Sequence, residues 1–297
     1  MAISSSRPDE RYRIFIDNGR EIQEPLEPLK SVQDAFVQRS GHLLCFDSCV
    51  YGGVPSKSAL LCAKRHCDAQ YILKMDLKSF YRTVTYDKIV EEIMCWRSEF
   101  LHNDDLDSFL WEIQDRLPEF FCNGTPYQIL PTGAPTSMLL ANLAARSLDK
   151  KIKAFFASSA WTESPEHYCP VNPVYTRYVD DLTFSMPRHS IEYSKPWVLI
   201  SMIEDLVKSE GFLVNTAKTR WMTRGADNMN VLGVNVTHRQ TKVPRKFRRD
   251  LRATLFKKAK NKNELSEQDA GRLSYVKEVD QDQYYKLLRY YEKCRLY

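Results

Sequence analysis

The chain has 297 residues, of which 43% are hydrophobic and 27% charged, and a formal net charge of +5. This is ordinary globular composition, on a length that holds one large domain or two smaller ones around a sizeable core. No run approaches the ~18 apolar residues of a membrane span, and the start, Met1 to Glu10, has no apolar segment like that of a signal peptide, so no membrane association and cytoplasmic residence are expected.

Residues 11–16 (Arg-Tyr-Arg-Ile-Phe-Ile) read as a strand that turns at Asp17-Asn18-Gly19 into 20–25, a hairpin. The spacing predicts a helix over 29–37, a short apolar strand over 71–77 with an acid near its end, and helices over 86–97 and 105–116. A polar loop marked by Gly and Pro then runs to Pro135, where a long helix begins and continues to about Phe156. Residues 174–185 alternate β-branched and aromatic side chains on either side of Asp180-Asp181, the pattern of a strand, tight turn and returning strand. An amphipathic helix over 197–209 ends at Gly211, short strands follow near 212–214, 219–223 and 231–237, and the chain is helical from about Pro244. Strand, helix, hairpin, helix and strand in that order make an α+β fold with a split βαβ core and appended helices.

The eight cysteines, at 45, 49, 62, 67, 95, 122, 169 and 294, form no Cys-x-x-Cys. Cys45, Cys49, Cys62, His66 and Cys67 lie close in sequence, but their spacing misses the usual zinc pattern, so reduced, partly buried thiols are expected. Charge is uneven. Between His238 and Asn263 eleven Lys and Arg face one acid, Asp250, so the rest of the chain is net negative. A one-sign excess of that size points to a polyanion partner.

Asp180 and Asp181 on one turn repel each other and lose hydration, a cost that a divalent cation relieves. Hard oxygen ligands suit Mg2+. Asp76 ends the 71–77 strand; if that strand lies beside the hairpin, three carboxylates converge. Three acids there can hold two Mg2+ ions, one activating a 3′-hydroxyl and the other clamping a triphosphate.

Five elements then occur in order: Asp76 with Phe80-Tyr81, Leu130 to Ser137 opening a helix that carries Ala141-Asn142, Tyr178-Val179-Asp180-Asp181, Gly211 to Lys218, and Val231 to Val234. Together, from about residue 11 to the end, they resemble reverse transcriptases. The resemblance implies a right-hand polymerase with fingers, a split βαβ (ferredoxin-like) palm and a helical thumb. Fingers and palm would fall in 1–238 and the basic thumb in 239–297. It implies RNA-directed DNA synthesis from dNTPs with two Mg2+ ions held by Asp76, Asp180 and Asp181. Tyr81 would exclude a ribose 2′-hydroxyl, Arg20 (with Arg13 a companion) would grip the triphosphate, and Lys218 would assist departing pyrophosphate. Thr132, Gly133 and Ala134 would border the nucleotide, Leu232-Gly233 would form the tight hairpin that holds the primer end, and Arg245, Lys246, Arg248, Arg249 and Arg252 would track phosphates. Tyr284, Tyr285, Tyr290 and Tyr291 are divided between helix packing and base stacking.

Within the family the retron type fits best, through Asp181-Leu-Thr-Phe-Ser185, compact size and Cys62-Ala-Lys-Arg-His66, which resembles an Asn-Ala-x-x-His element. That type implies a partner noncoding RNA as template and primer, a DNA product, an effector protein and a role in antiphage defence. Departures are Cys62 for Asn, Thr132 for a frequent Gln, Val179 for a frequent Ala, Met138 for a frequent Pro, and Val236-Thr237-His238, which matches a Val-Thr-Gly element only in part. They leave two alternatives: a nucleotidyltransferase making DNA with little or no template, with a protein primer among its options, and a non-catalytic RNA-binding module.

Overall fold

The structure is a computed structural model and describes residues 9–17, 19–99, 104–121, 129–157, 173–187 and 196–296. Residues 1–8, Asn18 of the first turn, Cys122 and Cys169, and residues 122–128 of the loop before Pro135 lie outside the described residues.

Strands β1 (Tyr12–Asp17) and β2 (Arg20–Pro25) pair antiparallel, Asp17 opposite Arg20, as the alternation and turn residues predict. Helix α1 (Leu29–Leu43) runs six residues past its expected end, and its buried stripe of Gln33, Phe36 and Ser40 follows helical spacing. A short helix α2 (Ala59–Lys64), capped by the Ser58 hydroxyl, leads into β3 (Ala69–Asp76). Helices α3 (Phe80–Thr83), α4 (Tyr86–Glu99) and α5 (Asp104–Phe120) follow. Helix α5 continues through Pro118 because Leu117, Phe120 and Phe121 carry its apolar stripe into the core, each fully buried.

The single long helix expected from Pro135 is two, α6 (Pro135–Ala144) and α7 (Arg146–Ala157). At the break the Ser147 amide donates to the Glu92 carboxylate of α4 at 3.1 Å, so a side chain from another helix caps the new N-terminus. The hairpin β4 (Val174–Tyr178) and β5 (Asp181–Pro187) is followed by α8 (Pro196–Ser209) and β6 (Arg220–Thr223). Residues 212–214 form no strand; Val214 makes a lone bridge to Leu77. The strand expected over 231–237 is a hairpin, β7 (Asn230–Val231) and β8 (Val234–Val236), with β9 (Thr241–Lys242) alongside. Helices α9 (Arg245–Lys260), α10 (Glu267–Val279) and α11 (Gln281–Arg295) complete the chain.

The central sheet is antiparallel in the order β4-β5-β3-β6, the split βαβ arrangement. Its two faces pack on different cores. Leu73, Met75 and Leu77 enter a large core shared with α1 and α4–α8, whereas Ala69 and Ile72 enter a second core with α2, β7–β9 and α9–α11. Among the described residues, no helix is long and apolar enough to cross a membrane.

His66 ties α2 to the hairpin. One ring nitrogen lies 2.9 Å from the Ser185 hydroxyl and the other 2.7 Å from that of Thr176, which also accepts from the Cys62 thiol at 3.2 Å. Burial holds the His66 pKa down to about 3, against about 6.5 unfolded. The neutral ring therefore stabilises the fold fully above pH 6.5, and that contribution is lost as pH falls toward 3, because the unfolded chain takes up the proton first. Urea unfolding should show a loss of about 1.4 kcal/mol per pH unit across that window, and His66→Asn should flatten the slope; equal slopes would remove His66 from the account. The Cys45–Cys67 region assembles no metal site among the described residues, and Cys49 and Cys62 are buried thiols.

Candidate active site

Strand alternation puts Ile72, Lys74 and Asp76 on the face of β3 opposite Leu73 and Met75, and β5 pairs so that Asp76 stands opposite Asp181. Asp76 is pinned. Its carbonyl accepts from the Asn215 amide at 2.7 Å, one carboxylate oxygen accepts from Asn215 Nδ2 at 3.3 Å, and the other accepts from Lys218 Nζ at 2.7 Å. A 3-10 turn over Thr216–Lys218 presents that lysine.

Tyr178 pairs with Asp181, closing a two-residue turn of Val179 and Asp180. Val179 has φ +58°, a left-handed conformation that is rare for a β-branched residue and costs about 1–3 kcal/mol. The Leu77 amide donates to the Asp180 carbonyl at 2.9 Å, fastening the turn to the end of β3.

Burial raises the carboxyl pKa values of both Asp180 and Asp181. Repulsion from Asp181 and Asp76 adds to the shift of Asp180, and repulsion from Asp76 adds to that of Asp181. The ion pair with Asp76 raises the Lys218 pKa. Three hard oxygen donors whose charges oppose one another fit a divalent cation in chemistry. Among the described residues no three acidic, His or Cys side chains are grouped closely enough to hold a metal ion as they stand; Asp76 is engaged by Lys218 instead.

These groups open onto a cleft of about 890 Å³. Arg20 enters it from the tip of the first hairpin, Tyr81 and Arg82 from α3, Thr132 from the loop before α6, and Leu232 from the turn between β7 and β8. The Tyr81 phenol is pushed up to about 12 by burial and by Asp180, so it stays neutral. Leu232 and Gly233 both have positive φ, at +50° and +82°, the two-residue turn that fits a hairpin's twist.

Other expected site residues lie elsewhere. Gly133 (φ +118°) makes its close approach to the first hairpin: a Cβ there would meet Ile22 Cγ2 at 2.8 Å, and the Gln23 amide donates to the Thr132 carbonyl at 2.7 Å. Ala134 is buried with Tyr12. Gly233 is exposed with nothing within 4 Å of a Cβ, and Arg13 is paired with Glu24 at 2.6 Å. Arg245, Lys246, Arg249 and Arg252 are exposed on α9, whose Leu251, Leu255 and Ala259 pack inward; Arg248 is half-buried near Gln283, and none of the five lines the cleft. Of the four tyrosines, Tyr291 is buried, Tyr284 packs against the second core, Tyr290 lies under Arg252 at 4.2 Å and Tyr285 is exposed.

Sequence reasoning missed Arg177, fully buried in β4. Its guanidinium engages both oxygens of Asp149, at 2.9 and 2.7 Å, and donates to Asn142 Oδ1 at 2.8 Å and the Val179 carbonyl at 3.2 Å. The Tyr175 hydroxyl donates to Asp149 at 2.7 Å. Alternation could have found it, since Arg177 falls two residues after Tyr175 and two before Val179, both apolar, at the spacing of one strand face.

Residues 7–236 match the profile of the family described as reverse transcriptase (RNA-dependent DNA polymerase). The chain belongs to that family. Its fold is accordingly the mixed α+β polymerase fold, with the four-stranded sheet as palm. The reverse transcriptase is 29% identical over 280 residues to the retron Mx162 reverse transcriptase of Myxococcus xanthus, an alignment covering 88% of this chain and 55% of that one. It is 25% identical over 292 residues to the retron Ec86 reverse transcriptase of Escherichia coli, covering 96% of this chain and 82% of that one. Apo telomerase from Candida tropicalis, truncated from its C-terminal domain, aligns over 82% of this chain and 56% of its own at TM-score 0.49 and 13% identity.

Proposed function

We propose that this reverse transcriptase copies a partner noncoding RNA into DNA in the manner of retron enzymes, from dNTPs and with Mg2+. The observation that carries the reading is the convergence of Asp76, Asp180 and Asp181 with Arg20, Tyr81 and Lys218 around one cleft. Asp76, Asp180 and Asp181 would hold two Mg2+ ions, which supply charge neutralisation for the triphosphate and activation of a 3′-hydroxyl. Arg20 would grip the triphosphate by charge-assisted hydrogen bonds. Lys218, protonated and already in the cleft, would neutralise the leaving pyrophosphate once it exchanges Asp76 for phosphate oxygens.

Residues 1–238 would serve as fingers and palm and 239–297 as thumb, with the exposed basic face of α9 following the phosphate backbone. The β7–β8–β9 sheet crosses that boundary, so palm and thumb would share a hydrogen-bonded joint.

The test is to purify the protein with its bound nucleic acid, supply labelled dNTPs and Mg2+, and sequence the product. A defined copy of one RNA is expected. A homopolymer or simple repeat would replace this reading with untemplated synthesis, and no DNA at all would leave an RNA-binding module. Tyr81→Ala should raise ribonucleotide incorporation relative to dNTP by at least ~10-fold, because the ring that would stand beside the sugar and exclude its 2′-hydroxyl is removed. Single-nucleotide extension with matched dNTP and rNTP measures this, and an unchanged ratio would reject the gate.

A further inference from the structure

We propose that Arg177 is a positioning residue, which with Asp149, Asn142 and Gly52 holds the Val179–Asp180 turn in the conformation that aims Asp180 into the cleft. This rests on the polymerase reading above.

The turn does not hold itself. Val179 sits at φ +58° in a two-residue hairpin turn, a position where glycine would be at ease and a β-branched residue is not. A strained residue persists only where its surroundings over-determine it, and here they do so on two sides. From beneath, one guanidinium nitrogen of Arg177 donates to both the Val179 carbonyl and Asn142 Oδ1, while the other two nitrogens lock onto Asp149. From the flank, residues 49–52 run along the outer edge of β4. The Arg177 amide donates to the Cys49 carbonyl and the Tyr51 amide to the Arg177 carbonyl, each at 2.8 Å. Gly52 then presses on Val179 so closely that a Cβ would lie 2.6 Å from Val179 Cγ2. Asn142 joins the two sides, donating to the Gly52 carbonyl at 2.7 Å while accepting from Arg177.

Each side-chain nitrogen and oxygen of Arg177, Asp149 and Asn142 has a partner within the cluster, and Arg177 has no exposed surface. It therefore acts on the reaction only through the turn. A lysine keeps the charge but cannot make the fork to Asp149 and reach Asn142 and Val179 O together.

The test compares crystal structures and steady-state kinetics of wild type, Arg177→Lys and Arg177→Lys/Val179→Gly, well below the melting temperature of each. In Arg177→Lys, Val179 should leave positive φ, and kcat per folded molecule should fall at least 10-fold with the dNTP KM within twofold. Glycine at 179, which adopts positive φ freely, should restore kcat to within about threefold of wild type. An unmoved turn with unchanged kcat, and only a lower melting temperature, would overturn the proposal. Should Arg177→Lys not fold, Asn142→Ala carries the same comparison, because it cuts the bridge to Gly52 and leaves the Arg177–Asp149 pair intact. If wild type extends no primer, the polymerase reading fails and the crystallographic comparison alone decides: a relaxed turn upholds the positioning role and an unmoved turn ends it.

Discussion

Asp180→Asn should lower kcat for primer extension by about 10³-fold or more while leaving the protein folded. A metal ligand at a phosphoryl-transfer site supplies several kcal/mol of transition-state charge stabilisation, and about 4 kcal/mol is a factor of ~10³. The side chain is nearly isosteric, and the wild-type carboxylate is held against its own burial and against the charges of Asp181 and Asp76. Removing that charge should leave thermal stability without divalent ions unchanged or raised. Adding Mg2+ should raise the melting temperature of wild type and much less that of the variant, because an ion bound to the native state alone stabilises it by mass action. The pair of measurements separates a ligand from a bystander. Extension at the wild-type rate by Asp180→Asn would end the metal assignment, and Asp76→Asn should behave alike in extension.

Gly52→Ala should be nearly as damaging although Gly52 touches no reacting group. The new Cβ would stand 2.6 Å from Val179 Cγ2, 2.7 Å from the Val179 amide nitrogen and 3.2 Å from the Tyr178 carbonyl carbon. Two of these are backbone atoms, so no rotamer change relieves the clash and the turn itself must move. Overpacking costs about 1–3 kcal/mol in stability, and a displacement of about 1 Å at a catalytic group can cost about 10²-fold in rate. Chemical denaturation and kcat per folded molecule are the measurements. Val179→Ala should not rescue the variant, since the backbone atoms stay in place. The neighbouring Gly53→Ala is the contrast. Its Cβ would meet only the Met138 side chain, 2.3 Å from Sδ and 2.5 Å from Cγ, an overlap that a flexible thioether relieves by changing rotamer, and placing alanine at φ +68° costs about 1–2 kcal/mol besides. It should lower stability and leave kcat per folded molecule within about threefold of wild type. If both glycine variants lost activity only in proportion to unfolding, Gly52 would have no special tie to the turn.

Local pattern was legible wherever one residue period ran uninterrupted. The β1–β2 hairpin with its Asp-Asn-Gly turn, β3 as a short apolar run with a terminal acid, and the β-rich segments flanking Asp180-Asp181 are local patterns, so they could be placed without knowledge of the rest. Boundaries failed where a distant group decided them. Helix α6 stops at Ala144 and α7 restarts because Glu92 of another helix caps it. Helix α5 outlasts Pro118 because the core accepts Leu117, Phe120 and Phe121. By residue pattern alone 231–237 is one strand, and only the resemblance marks the tight hairpin at Leu232-Gly233, where a leucine takes a positive φ that its type gives no reason to expect.

The site divides the same way. That Asp76, Tyr81, Thr132, the Asp180-Asp181 pair, Lys218 and Leu232 belong together could be anticipated from the sequence, the three acids from the cation their opposed charges call for and the others from the resemblance to reverse transcriptases; all of them line one cleft. That Asp76 stands opposite Asp181 was decided by strand register, which depends on pairing between segments a hundred residues apart. The grip of Lys218 on Asp76, the packing of Gly133 against Ile22 rather than at the cleft, and the Arg177–Asp149–Asn142 cluster beneath Val179 came only from tertiary structure. Residue type determines what an atom can bind; which atoms lie within 3 Å of it is set by the packing of elements remote in the chain.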